Sequence, residues 1–496
     1  MLKYITQRFA PHFSRSRLAA MALALACLPL TALAAPPDRP NIIVFMLDDA
    51  SPGEFSPYGT QARPAAFNTP HVDQLAQRGT RFVTSWATPL CAPTRALFLT
   101  GKYGNNTGQF GNALKLTNSG EFFDQHTSLA KTLADNGYRT GLAGKWMLPG
   151  LPEGPAAGFH EHFAYAGYLG RTYFSQWTGP WFGWKDPSKL FPSREAVTTG
   201  GYISPSIYWH PALVHNGKLV PSNEDTFGPD AVHQYALDFI KRDHGDQPFF
   251  LFYAEFLPHR PWVGVPTSFG SGERTAPGIA NQIHTIDFYV KNLIAAMTEA
   301  GILDNTIFIF TSDNPTQGYG KNVASELGAR VPLIVTGPGV QAGQVSDALV
   351  DFSDLYPTIM DLAGIDPATV QGLDGQSFVA VLTGERESTR QWIYSYVDAW
   401  QMVRDRDWLL GADGVMWRTA PSGDMLDYTR IDTPTAESEA AKQRLLGYIQ
   451  HLPLPTEEAF GQRLIQARQK TWVLTSGDHM LKMGNDWKND PRREQP

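Results

Sequence analysis

Cysteine is almost missing from this chain: two in 496 residues, Cys27 and Cys91. So few thiols exclude a disulfide framework and any zinc site built on several thiolates. Beyond the first few dozen positions there is also no run of the ~20 apolar residues that a membrane span needs. Internal repeats and low-complexity tracts are absent, which excludes solenoid and array architectures. An excess of positive charge is lacking too, since 41 basic residues face 48 acidic ones for a net charge of -7. That balance argues against nucleic acid or an anionic membrane as the main partner. It leaves room for a small anionic substrate, because a local cluster of Lys, Arg and metal can reverse the field inside a pocket.

What is present begins with an export signal, expected over residues 1–35. Lys3, Arg8, Arg15 and Arg17 form a basic start, Leu18 to Leu33 is nearly all Leu, Ala and Met, and Ala32-Leu33-Ala34 has the form of a cleavage site. Removing this segment discards four basic and no acidic residues, so the net charge goes from -7 to -11. Cys27 leaves with it. Acylation of Cys27 as a lipoprotein is the alternative, disfavoured because Leu28-Pro29-Leu30 prolongs the apolar run. The expected location is periplasmic or secreted.

Short apolar runs then alternate with helical patterns. Ile42–Leu47, Tyr138–Ala143, Phe249–Tyr253, Ile307–Phe310 and Leu333–Val335 read as strands. Helices are expected around Val72 to Ala76, around Leu129 to Leu133, from Ile286 to Met297 and from Asp354 to Ala363, each stopped by a glycine. This rhythm predicts an α/β fold with a largely parallel sheet covered on both faces. Asp48-Asp49, Lys145, His259 and Asp313-Asn314 each follow a predicted strand, where open α/β sheets gather their ligands. Singly, such groups serve as turns and caps. Three carboxylates and an amide oxygen together are what Ca²⁺ or Mg²⁺ selects, whereas zinc would want His or Cys.

Leu90-Cys91-Ala92-Pro93-Thr94-Arg95 resembles the C-x-P-x-R motif of the sulfatases, and other segments match that family in order. They are Asn41–Asp49, Thr69–Ala76, Leu99–Lys102, Gly144-Lys145-Trp146, Pro258-His259-Arg260-Pro261, Thr311–Asn314, and Lys321 with Glu326–Pro332. The resemblance implies that a maturation enzyme oxidises Cys91 to formylglycine, whose hydrate is the nucleophile and can collapse to expel sulfate. It implies one Ca²⁺ or Mg²⁺ held by Asp48, Asp49, Asp313, Asn314 and the formylglycine at position 91. Arg95 would hold the formylglycine oxygens, Lys145 and Lys321 would clamp the sulfate, and His259 would protonate the leaving oxygen. The implied fold is alkaline phosphatase-like: a large mixed, mostly parallel sheet sandwiched by helices over 36–384, with a small C-terminal α+β subdomain over 385–496. The implied reaction is hydrolysis of a sulfate ester, of a saccharide or an aryl alcohol. A phosphonate or phosphate ester hydrolase of the same superfamily, or a noncatalytic sugar-binding relative, are the alternatives.

One position departs from the family pattern. Where many members have a histidine two residues after the motif lysine, this chain has Met147, and a thioether cannot act as a base. Lys145, His160, His162, His210 or His215 are the candidates to replace it. Between Thr172 and His210 the chain is rich in Trp, Tyr and Phe, which suits either a stacking surface for sugar or aryl rings or a loop packed on its own aromatics. After Glu385, short strands are expected at Ile393–Val397, Met402–Arg404 and Trp408–Leu410, with a helix from Glu437 to Ile449. The charged end from Asp486 is expected to fray.

Overall fold

Alternate residues of β1 (Asn41–Leu47) enter two different cores: Ile42, Val44 and Met46 pack on one face, Ile43, Phe45 and Leu47 on the other. A strand apolar at consecutive positions has no face left for water, so it must lie in a sheet covered on both sides. The computed structural model describes residues 39–60, 64–112, 122–148, 157–166, 207–423, 425–470 and 472–473. The export segment, most of the aromatic stretch from Thr172 and the charged tail lie outside these residues.

Ten strands form the large sheet: β1, β2 (Gly79–Trp86), β3 (Arg139–Gly144), β4 (Glu161–Tyr165), β5 (Leu213–His215), β6 (Lys218–Val220), β7 (Phe249–Ala254), β8 (Thr306–Ser312), β10 (Leu333–Thr336) and β11 (Gln344–Asp351). Their order is β11-β2-β10-β8-β1-β7-β3-β4-β5-β6. Pairing directions leave only β10 and β5 running against the rest, so the sheet is mixed and mostly parallel. Helices α1 (Pro70–Arg78), α4 (Gly228–Lys241) and α5 (Ile279–Glu299) cover one face, and α2 (Cys91–Thr100), α3 (Leu129–Asp135) and α6 (Leu355–Leu362) cover the other. Each large apolar side chain fully buried this way contributes about 1.5–3 kcal/mol. None of the described helices is long and apolar enough to cross a membrane.

β12 (Trp392–Val397), β13 (Trp400–Asp405), β14 (Trp408–Leu410), β15 (Met416–Arg418) and β16 (Thr429–Arg430) form a second, antiparallel sheet, against which α7 (Ala436–Ile449) packs. A two-residue strand β9 (Val323–Ala324) pairs in parallel with β17 (Trp472–Val473).

The expected strands and helices lie within one to seven residues of the observed bounds, α5 beginning earliest at Ile279. Sequence pattern did not single out β2, β4, β5, β6, β9, β11, β15, β16 or β17, nor helix α4. β2 carries Thr80, Thr84 and Ser85 at buried positions, and β11 carries Gln344, Ser346 and Asp347 ahead of the short run Ala348-Leu349-Val350, so neither stands out as an apolar strand along its length. Their partners in the sheet, not their composition, make them strands.

Candidate active site

β8, β1, β7 and β3 are four neighbours in the sheet, and their carboxyl ends share one edge. Asp313-Asn314, Asp48-Asp49 and Lys145 are the first residues beyond β8, β1 and β3, and His259 lies on the turn beyond β7. Backbone bonds tie these exits together: Asp313 N to Leu47 O at 3.0 Å, Asp48 N to Leu257 O at 3.2 Å, and Lys145 N to Ala254 O at 2.8 Å. Gly144, at φ 99°, has no room for a side chain, since a Cβ there would sit 2.0 Å from Ala254 O. That close approach is what brings Lys145 to the edge. Asp49 itself has φ 69°, a left-handed conformation that costs a non-glycine residue on the order of 1 kcal/mol and turns its carboxylate towards Asp313 and Asn314.

The nucleophile candidate arrives from the other side. β2 leads through Ala87–Leu90 into α2, whose first residue is Cys91 and whose ten residues are all buried. The entry to α2 is fixed by Thr88, whose amide donates to Thr94 Oγ1 at 3.0 Å, and by Asn112 Oδ1, which accepts from Ala92 N at 3.0 Å. Asn322 N donates to Pro89 O at 2.8 Å and joins this loop to the one carrying Lys321. Gly101, at φ 64°, ends α2 by donating its amide to Leu97 O.

Cys91 Sγ lies 3.4 Å from Asp48 Oδ1 and 3.9 Å from Asp49 Oδ1. One ligand atom each from Asp48, Asp49, Cys91 and Asp313 falls within 4.8 Å of the others. Asn314 Nδ2 donates to Asp49 Oδ1 at 2.7 Å and to Pro315 O at 2.9 Å, while its Oδ1 is buried with no hydrogen-bond partner. An orphaned buried carbonyl oxygen beside three carboxylates is unfavourable as it stands and suits a hard cation. Asp48, Asp49, Asp313 and Asn314 therefore fit one Ca²⁺ or Mg²⁺ on the chemistry of their donors. Around them stand three cations. Lys145 Nζ is paired with Asp48 Oδ2, and Lys321 Nζ is 2.6 Å from Asp49 Oδ1. Arg95 puts Nε and Nη2 on Asp313 Oδ2 at 2.9 and 2.7 Å and Nη1 on Lys145 O at 2.8 Å. The guanidinium fork thus braces a carboxylate and the lysine backbone rather than the sulfur.

Burial pushes the Asp48 and Asp49 carboxyls up, but Lys145 and Lys321 respectively, each with His259, outweigh it and hold both below their ordinary value. Asp313 goes the other way: burial and the Asp48 charge raise it despite Arg95. The Cys91 thiol is driven well up by burial, then by Asp313 and Asp48. A thiolate is disfavoured here, so an unmodified Cys91 supplies a poor nucleophile. His259 Nδ1 is 2.5 Å from Arg260 O, which can only accept, so that nitrogen carries a proton. Nε2 then faces the site, 3.7 Å from Asp49 Oδ2. Burial and Lys321 depress its basicity. Side chains of His259 and Lys321 keep 21% and 11% of their surface exposed while Asp48, Lys145, Arg95 and Asp313 keep none, so the site opens on the His259 and Lys321 side.

All nine sequence-predicted residues, Asp48, Asp49, Cys91, Arg95, Lys145, His259, Asp313, Asn314 and Lys321, are joined in this one network. Met147 follows Lys145 with φ 56°. Of the histidines considered as its replacement, His160 bonds Thr140 at the opposite end of β3, His162 sits level with Leu142, and His215 is on β5 opposite Phe163. Three contributors were not anticipated: Asn112, Thr88 and Phe256. The Phe256 ring lies 5.1 Å from Lys145 Nζ and 4.9 Å from the His259 ring. Asn112 and Thr88 act through backbone contacts that no local motif announces.

A large mixed sheet covered by helices, with a small antiparallel sheet near the C-terminus, is the alkaline phosphatase-like fold. The sulfatase family model matches residues 40–365. Human arylsulfatase A is 31% identical over 380 residues, 72% of this chain and 70% of that protein, and human N-acetylgalactosamine-6-sulfatase is 29% identical over 391 residues, 72% and 68% of the two. The chain belongs to the sulfatase family, whose members are sulfuric ester hydrolases. Among solved structures it is similar in fold to one in complex with its substrate D-glucosamine-2-N,6-O-disulfate (TM-score 0.56, 18% identity, 92% of this chain and all of that one). It is also similar to a phosphonate monoester hydrolase from Silicibacter pomeroyi (TM-score 0.59, 18% identity, 84% and 97% covered).

Proposed function

We propose that this protein is an exported, formylglycine-dependent sulfatase that removes sulfate from a saccharide ester, with one Ca²⁺ or Mg²⁺ at Asp48, Asp49, Asp313 and Asn314. The observation that carries the reading is Cys91 Sγ at 3.4 Å from Asp48 Oδ1, beside the orphaned Asn314 oxygen and between two lysines. Oxidised by a maturation enzyme, residue 91 supplies a hydrated aldehyde whose hydroxyl attacks sulfur and whose return to the aldehyde frees sulfate. The metal supplies Lewis acidity and a counter-charge for the sulfate oxygens.

The remaining work falls to side chains. Lys145 and Lys321, now paired with Asp48 and Asp49, bind the sulfate oxygens and stabilise charge that builds on them. Arg95 keeps Asp313 and the Lys145 backbone in register. His259 Nε2, on the open side, donates a proton to the departing alcohol oxygen from the imidazolium form, in which Nδ1–H stays on Arg260 O. Relatives named for N-acetylgalactosamine 6-sulfate and for a sulfated glucosamine support the saccharide class. The basic and apolar segment at residues 1–35 supports export to the periplasm or medium.

Mass spectrometry of the Cys91 peptide from a host that has the maturation enzyme, with parallel assays on aryl sulfate, sulfated amino sugars and aryl phosphonate, tests this reading. Formylglycine at residue 91 and turnover of sulfate esters above phosphonate are expected. An unoxidised thiol in active protein, or a preference for phosphonate, overturns it.

A further inference from the structure

Glu255 follows directly on β7 and is fully buried, yet none of the sulfate chemistry above uses it. Its Oε1 accepts from two successive backbone amides, Phe256 N at 2.7 Å and Leu257 N at 3.0 Å, and its Oε2 accepts from Tyr253 Oη at 2.7 Å. The turn it shapes in this way touches the site at three places. Leu257 O receives the Asp48 amide, Phe256 O receives the His259 amide at 3.0 Å, and the Phe256 ring lies between Lys145 Nζ and the His259 ring.

We infer that Glu255 is a positioning residue: its carboxylate locks the turn 255–259 and thereby sets where His259 and Lys145 stand relative to the ester. The inference rests on the reading of His259 as the leaving-group acid. A carboxylate that accepts two adjacent amides fixes two peptide planes at once, and a displacement of about 1 Å at a reacting group can cost about 10²-fold in rate. The setting of Glu255 differs from that of Asp48, Asp49 and Asp313. Among the described residues no lysine or arginine is a hydrogen-bond partner of Glu255. Around it stand Tyr253 on β7, Tyr165 on β4, Asp230 and His233 on α4, and Tyr289 on α5, with His233 Nδ1 3.1 Å from Tyr253 Oη and Tyr289 Oη bonded to Asp230. Burial therefore lifts the Glu255 carboxyl to about 7, with Tyr253 and the two amides offsetting it in part. Protonation at Oε2 leaves Oε1 accepting the two amides and lets the new O–H donate to Tyr253 Oη, so the clamp does not depend on the charge of Glu255.

The test uses the full-length mature protein, Glu255→Gln and Glu255→Ala. Glu255→Gln keeps a carbonyl oxygen for the two amides but cannot titrate. Glu255→Gln should keep kcat/KM within about threefold of wild type, because its carbonyl oxygen still holds both amides. Glu255→Ala should slow an alkyl sulfate by about tenfold or more and an activated aryl sulfate far less, since only the former depends on a well-placed acid. A readout free of catalysis is the imidazole NMR titration of His259, assigned with His259→Gln; it should shift in Glu255→Ala and stay in Glu255→Gln. A loss beyond about tenfold in Glu255→Gln, equal slowing of both esters in Glu255→Ala, or an unmoved His259 resonance overturns the inference. If wild type hydrolyses no sulfate ester at all, the proposed function fails instead, and the resonance still decides whether Glu255 positions His259.

Discussion

Two buried charge clusters in this protein are built on opposite rules. Behind α2, Asp351 and Asp354 share Arg390, which reaches Asp351 Oδ2 at 2.7 Å and Asp354 Oδ1 and Oδ2 at 3.0 and 2.9 Å. Backbone amides close the rest: Ser353 and Tyr394 donate to Asp351, Gln376 and Asp351 donate to Asp354, and Tyr103 Oη caps Asp351 at 2.7 Å. Every carboxylate oxygen there has at least one donor. At the carboxyl edge of the sheet, three carboxylates face two lysine point charges, one arginine and an orphaned amide oxygen. A planar fork with amide donors specifies one geometry, whereas ammonium groups on flexible stems can give up their partners to a ligand. Among the described residues Arg390 Nε has no partner either, but every carboxylate oxygen of that cluster is satisfied from within the protein, whereas the oxygen donors of the open cluster at the sheet edge include the unsatisfied Asn314 carbonyl.

The sharpest way to test this contrast is to remove the group on which the open cluster converges. Cys91→Ala should lower sulfate ester hydrolysis by at least about 10⁴-fold, because no other side chain can provide the nucleophile. The thermal transition should stay near that of wild type, as a thiol fully inside the site makes few structural contacts; retained activity would contradict the assignment.

Metal dependence should divide the clusters cleanly. Exhaustive chelation or Asp313→Ala should abolish activity, and adding Ca²⁺ or Mg²⁺ at about 100 times its Kd should stabilise metal-free wild type by about 2.7 kcal/mol but not Asp313→Ala. Asp354→Ala should behave in reverse, costing about 1–3 kcal/mol as the Gln376 and Asp351 amides lose their acceptor while Arg390 keeps Asp351, and its thermal response to metal should persist. Differential scanning calorimetry with and without the ion decides both.

A finer cut concerns the proton. His259→Ala should cost about 10²–10⁴-fold on an alkyl sulfate and much less on a nitrophenyl sulfate, whose leaving group needs no acid. Equal losses on both esters would remove His259 from that role.

The smallest effect is expected at Met147. Rapid-mixing experiments should show alcohol released in a burst ahead of sulfate, since the family base is missing there. Met147→His should raise the steady rate several-fold and shrink the burst. Its backbone is suited to the change, because histidine is enriched among non-glycine residues at the positive φ that Met147 already adopts. Loss of activity in Met147→His, with no burst in wild type, would mean that another base is already in place.

Much of the site was legible in the sequence because its residues obey a local rule: an apolar strand, then a polar group at once. Asp48, Lys145 and Asp313 follow that rule, and Cys91-Ala92-Pro93-Thr94-Arg95 carries a motif. Glu255 follows the same rule after Phe249–Ala254 and could have been found by it. Asn112 and Thr88 could not, since an Asn112 side chain that accepts from the Ala92 amide and a Thr88 amide that donates to the Thr94 side chain leave no periodicity to detect.

What the sequence by itself determined was therefore the set of reactive groups and the α/β rhythm, because apolar period and motif spacing are local properties of the chain. The tertiary structure alone decided that β8, β1, β7 and β3 are neighbours, that β10 runs against them, and that polar β2 and β11 join the sheet. Strand order depends on how segments as distant as Asn41 and Thr306 pair and bury each other, and that free energy is written in no single segment. The same long-range packing decided which lysine meets which aspartate, and so left the Asn314 oxygen without a partner.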